Sequence, residues 1–155
     1  THSIRGLGQA DIFGNLPKPW VGWYEAIKDL IPDMQITELS KNQQLALKGL
    51  DLSQRLLVPT IGYRSKLPPV YSEHQPAPTV KAMMMSDGKS ERRGCWKIID
   101  NYKVREMSVR GLARLQGFPD DLILSGHKGL DCKCIGNAVP PLVMKKILEE
   151  CFDGQ

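Results

Sequence analysis

Two consecutive prolines, Pro140 and Pro141, constrain the fold of this chain more than any other pair of residues. Each locks φ near −65° and lacks a backbone donor, so together they can open a helix but cannot lie inside one. The residues that follow, LVMKKILEECF, put Val143, Ile147 and Cys151 on one face with Leu148 beside it. Lys145, Lys146, Glu149 and Glu150 fall on the other. A final helix is therefore predicted, with Cys151 turned into a core. Before the prolines, CKCIGNAV supplies a Gly-Asn pair that reads as a turn closing a loop, with no ligand required.

A second helix is predicted in the same closing third. Ser108 suits an N-cap for VRGLARLQGF, whose Leu112, Leu115 and Phe118 form an apolar face before Pro119 stops it. Upstream, PWVGWYEAIKDLIP places Trp20, Trp23, Ile27, Leu30 and Ile31 on one helical stripe between Pro19 and Pro32. Both tryptophans are read as core residues rather than base-stacking platforms. A weaker helical stretch runs from Ser40 to Leu50.

Residues 55–80 are rich in β-branched and aromatic residues broken by prolines, which predicts short strands and edges. Cys95–Met107 reads as strand, turn at Asp100-Asn101, and strand. The first nineteen residues, with DIFGNL at Asp11–Leu16, lack the apolar strand and second glycine of a nucleotide-binding opening and read as a loop.

Composition narrows the function classes. With 155 residues the chain suits one domain, 41% hydrophobic and 25% charged residues suit a globular one, and the net charge of +4 is compatible with nucleic acid. No apolar run is long enough for a membrane span and no signal-peptide pattern opens the chain. The four cysteines, Cys95, Cys132, Cys134 and Cys151, lack the paired spacing of a structural zinc site, so no metal is expected.

REMSVRGLARLQGFPDDL, followed by CIGNAVPPLVMKKI, resembles the last two sequence blocks of the DNA cytosine-5 methyltransferases. The order of the blocks carries the resemblance, and it is specific from Arg105 to Phe152, looser back to Pro76. It implies an α+β small domain of short irregular strands with about four helices, like that family's target-recognition domain. Residues 1–54 would lead in with a Trp-rich helix, 55–135 would form the recognition domain, and 136–155 would return toward a catalytic domain. Gly136, Asn137, Ala138 and Val139 would then help wall an S-adenosylmethionine pocket, the glycine allowing close approach and Asn137 offering donor and acceptor.

The first block would be scaffold, with Ser108, Arg114, Gln116 and Pro119 as structural residues and Arg114 bonding backbone carbonyls. Two positions depart from the family pattern. Gly111 stands where an acidic residue is common, losing a capping box and roughly 1 kcal/mol of helix propensity. Cys134 stands where glutamine is usual. Base recognition falls to SDGKSERRG, where Arg92 and Arg93 suit guanine and Lys89 and Ser90 suit phosphates. The same stretch also reads as a solvated surface turn.

Cytosine C5 methylation needs a thiolate to attack C6 of a flipped base and an acid at N3, which the family takes from a Pro-Cys pair and a Glu-Asn-Val stretch. Neither occurs in this sequence. The expectation is therefore the DNA-recognition, C-terminal portion of a bacterial-type methyltransferase, inactive alone. Such an enzyme belongs to restriction–modification, and works in the cytoplasm at the nucleoid. Its expected partners are double-stranded DNA and the missing catalytic domain, with no membrane, and none of the cofactor is expected on this chain alone. A separately encoded subunit of a split enzyme and a stand-alone DNA-binding module are the alternatives. Thr1, not a methionine, favours a segment of something longer, whose last helix should expose an apolar patch.

Overall fold

A computed structural model describes residues 20–59, 67–82 and 96–153. Antiparallel strands β1 (Leu56–Val58), β2 (Tyr71–Ser72), β3 (Lys97–Asp100) and β4 (Lys103–Glu106) form one sheet in the order β2-β1-β3-β4. Around it stand α1 (Trp23–Ile27), a 3₁₀ turn at Ile31–Asp33, α2 (Lys41–Ala46), α3 (Val109–Leu115), α4 (Lys128–Asn137) and α5 (Pro141–Asp153). The architecture is α+β, as the sequence implies, and α4 is the helix that reading did not foresee.

Strand alternation explains why the sheet is apolar on both faces. Leu57 pairs with Ile98 and both enter the main core with Trp23, Ile27, Trp96, Met107 and Leu112. Their neighbours Leu56, Val58 and Ile99 point the other way, into a smaller cluster with Leu47 under α2. Ser40 and Gln43 set α2 by a reciprocal capping box, and the buried Gln43 amide reaches on to the Val58 carbonyl at 3.3 Å.

Helix α1 is held by its backbone as much as by its apolar face. The Trp23 N–H donates to Gln75 and its indole donates to the Ser72 carbonyl at 2.8 Å. A Cβ on Gly22 would meet the Glu73 carbonyl oxygen at 2.4 Å, so only glycine allows this approach. Trp23 is fully buried, but Trp20 is 60% exposed, which corrects the expectation that both lie in the core. The reason is that α1 begins only after Gly22, so Trp20 precedes the helix whose stripe it was assigned to.

The β3–β4 hairpin turns through Asn101 and Tyr102, both with positive φ. Behind it a charged relay crosses the sheet: Lys97 and Glu106 pair across the strands at 2.8 Å, and Lys128 at the start of α4 pairs with the same carboxylate. This ties α4 to the sheet edge.

Candidate functional site

Helix α3 begins as the sequence predicts. The Ser108 hydroxyl accepts the Gly111 N–H at 3.0 Å. Gly111 is buried, and a Cβ there would lie 2.8 Å from Met107 Sδ and 3.1 Å from Met34 Cε. The room an acidic residue's stem would take is filled by two methionines, which accounts for this departure from the family pattern.

The end of α3 is a Schellman motif. Phe118 N–H donates to the Ala113 carbonyl at 2.9 Å, Gly117 N–H to the Arg114 carbonyl at 3.0 Å, and Gly117 takes φ +89°. This closure leaves the Gln116 side chain free to reach outward, and its amide donates to the Ala138 carbonyl at 3.0 Å. The two sequence blocks thus meet in space.

Among the described residues Arg114 bonds carboxylates, not the backbone carbonyls expected from the sequence. Its guanidinium grips both Asp120 oxygens at 3.0 and 2.7 Å and Asp29 at 2.5 Å, joining α3 to the turn after α1. The hydrogen bonds it donates to Asp29 and Asp120 push its pKa up, and the bond from Arg114 holds the Asp29 carboxyl below its usual range. Carbonyls are bound instead by Arg105, whose Nη1 donates to Pro32 at 2.9 Å and Met34 at 2.8 Å, and by Arg110, whose Nη2 donates to Leu122 at 2.7 Å while its buried Nη1 has no partner among the described residues.

Helix α4 replaces the loop expected before Gly136. Its low-propensity residues, Gly129, Asp131, Gly136 and Asn137, hide it from sequence reasoning, and tertiary packing overrides them. His127 Nδ1 accepts the Leu130 N–H at 3.2 Å as N-cap. Asp131 is buried and accepts from the Ser125 N–H at 2.9 Å, its hydroxyl at 2.7 Å and the Gly126 N–H at 3.2 Å. The Ser125 hydroxyl, then the backbone N–H groups, hold its pKa below the ordinary value. Cys132 and Ile135 fill the core.

Of the four cofactor-side candidates, Gly136 faces protein. A Cβ there would lie 2.3 Å from Ala82 N, so the close approach it permits is that of the Lys81–Ala82 backbone. Ala138 ends α4 in an extended conformation, φ −75° and ψ 145°, with its N–H bonded back to Cys134 and its carbonyl to Gln116. Asn137 and Val139 stand exposed on either side. Together they offer an amide and an apolar surface beside the end of α4.

Beyond them α5 turns its apolar face to solvent. Leu142 is 70% and Phe152 68% exposed, with Val143, Ile147 and Leu148 about half exposed. Val139, Pro141, Met144, Leu148 and Phe152 line an open groove of about 700 Å³ along this face. Cys151 is exposed, which corrects its assignment to a core.

Lys89, Ser90, Arg92 and Arg93 lie outside the described residues. Among the described residues no group of three His, Cys, Asp or Glu side chains could hold a metal ion, and no helix is long and apolar enough to cross a membrane.

The sequence pattern of the C-5 cytosine-specific DNA methylases matches residues 14–153. The chain is 30% identical over 134 residues to the putative type II methyltransferase M.MJ0563P of Methanocaldococcus jannaschii, covering 81% of this chain and 38% of that protein. It is 40% identical over 78 residues to the putative type II methyltransferase M.OihORF3336P of Oceanobacillus iheyensis, 50% of this chain and 15% of the other. Over 57 residues it is 40% identical to the type II methyltransferase M.BanI of Aneurinibacillus aneurinilyticus, 37% of this chain and 13% of the other. The matched stretches therefore span well under half of these relatives' own length. No solved structure matches the chain. With most of its length inside that sequence pattern, the chain belongs to the C-5 cytosine-specific DNA methylase family.

Proposed function

We propose that this chain is the C-terminal, target-recognition portion of a DNA (cytosine-5-)-methyltransferase, inactive without the catalytic portion. The observation that carries the reading is the junction of the two blocks. Gln116 holds Ala138, Asn137 and Val139 stand exposed beside it, and the apolar face of α5 lies open next to them. An exposed apolar face of this size marks a surface made for a partner.

In this reading residues 1–54 lead in, 55–135 form the recognition domain and 136–155 return to the catalytic domain. Gly136 seats α4, while Asn137, Ala138 and Val139 form one wall for S-adenosylmethionine, which supplies the methyl group when bound. The C6-attacking thiolate and the acid at N3 come from the Pro-Cys and Glu-Asn-Val motifs of the catalytic domain, in cis or as a separate subunit. Lys89, Ser90, Arg92 and Arg93 contact double-stranded DNA, the arginines at base edges and the others at phosphates. The complete enzyme serves restriction–modification, in the cytoplasm at the nucleoid.

The test combines the chain with a polypeptide carrying both missing motifs and follows labelled methyl transfer to cytosine in duplex DNA. Transfer is expected only when both are present. Arg92→Ala with Arg93→Ala is expected to weaken specific DNA binding of the complete enzyme. Methylation by the chain alone, or undiminished methylation without it, would overturn the reading. Unchanged site preference and affinity in the double variant would remove the loop assignment.

A further inference from the structure

We propose that Gln116 is a positioning residue that aims the Asn137–Val139 edge and the start of α5 toward the catalytic portion. This rests on the function proposed above and adds a residue that acts through the Ala138 carbonyl without touching cofactor.

Few soft torsions separate the two helices. Helix α4 ends at Asn137 and α5 starts at Pro141, leaving Ala138, Val139 and Pro140 to set the angle between them. Pro140 and Pro141 have fixed φ. Val139 precedes a proline and is confined to extended conformations. Pro140 is fixed further because its carbonyl accepts the Val143 and Met144 N–H groups, both at 3.0 Å. The Ala138 N–H, bonded to the Cys134 carbonyl at 3.1 Å and the Ile135 carbonyl at 3.3 Å, holds the peptide plane that precedes it. The Gln116 amide, by holding the Ala138 carbonyl at 3.0 Å, pins the plane that follows, and the two planes together fix φ and ψ of Ala138.

The anchor is rigid in turn. Gln116 is the C-cap of α3, its backbone fixed by the Schellman closure, and α3 is tied to its surroundings through Arg114. Leu142 in the first turn of α5 lies beside Gly117, so the same short turn touches both ends of the connection. Apart from that contact, the apolar side chains of α5 are exposed and do little to hold its direction. One side-chain hydrogen bond therefore holds the one peptide plane of the connection that no backbone hydrogen bond holds on the α4 side.

The test uses Gln116→Met, which keeps length and loses the donor, and Gln116→Lys, which restores a donor of similar reach. In this chain, hydrogen exchange at the Ala138 and Val143 amides, which are bonded to the Cys134 and Pro140 carbonyls, should rise about fivefold in the Met variant and return toward the original in the Lys variant, with α3 amides unchanged. In the complete enzyme, the Met variant should raise KM for S-adenosylmethionine about fivefold with kcat nearly unchanged.

Unchanged exchange at Ala138 and Val143 in the Met variant would overturn the positioning role and leave the proposed function standing. Raised exchange with an unchanged KM would also overturn it, because the edge would then move without consequence for the cofactor. A Val139→Asp variant separates the two ideas: an unchanged KM there defeats the cofactor-edge reading itself.

Discussion

Helices α4 and α5 are joined by three residues and are opposites. Helix α5 has the clean apolar stripe expected of a core helix, and it is exposed along that stripe. Helix α4 has no such stripe, carries two glycines and a buried aspartate, and is held against the core. Amphipathic patterning records the surface a helix is made to meet, which need not lie in the same described domain. Close packing without a stripe relies instead on small residues and satisfied polar groups, and periodicity does not register these.

The contrast breaks first at Gly136. With backbone atoms of Lys81 and Ala82 at 2.3 Å from a Cβ at this position, no side-chain movement can relieve the clash. Gly136→Ala should destabilise the chain by about 3 kcal/mol, read as a lower urea midpoint with an unchanged slope. A loss below about 1 kcal/mol would mean that α4 is not seated as described, and the comparison would lose its tight half.

The polar half of the α4 packing is tested by pH. Asp131 has a folded-state pKa below its unfolded value of about 3.9, because Ser125 and Gly126 donate to its carboxylate. A depressed carboxyl pKa stabilises the fold above the unfolded value, and that contribution disappears as pH falls through the folded value. Asp131→Asn should therefore lower the melting temperature at neutral pH and flatten its fall below about pH 4. Asp29, paired with Arg114, and Asp51, bonded to Ser53, are depressed too, so part of the acid fall should persist in the variant. An acid limb identical to that of the parent would show that Asp131 contributes nothing to it.

How far the sequence reveals this site follows from the same contrast. Ser108 as N-cap, the stop at Gln116-Gly117-Phe118-Pro119 and the proline start of α5 are local signals, and the structure contains all of them. The strand pair around Asn101 was legible for the same reason, since its pattern lies within a dozen residues. What escaped was tertiary. Helix α4 is stabilised by Lys81–Ala82, Glu106 and the main core, none of them near it in sequence. The Asp29–Arg114 pair joins residues 85 positions apart, and Gln116 meets Ala138 across 22. Gly111 looked like a weakened helix until Met34, far upstream, explained the space.

The exposed half of the comparison predicts the smallest effect on folding and a large one on assembly. Ile147 and Leu148 are each 46% exposed, so replacing both by glutamine removes little buried surface, and glutamine is a good helix former. Stability of the chain should change by no more than about 0.5 kcal/mol. If a catalytic partner covers this face, each residue has roughly 1 kcal/mol of further burial to gain there. Losing both should weaken association about thirtyfold, measured by titrating the chain into the partner. A large fall in melting temperature would instead place α5 against its own domain, and α4 and α5 would no longer be opposites. Unchanged stability with unchanged association would leave the stripe of α5 unexplained by docking, and the reading of this face as a partner surface would fall.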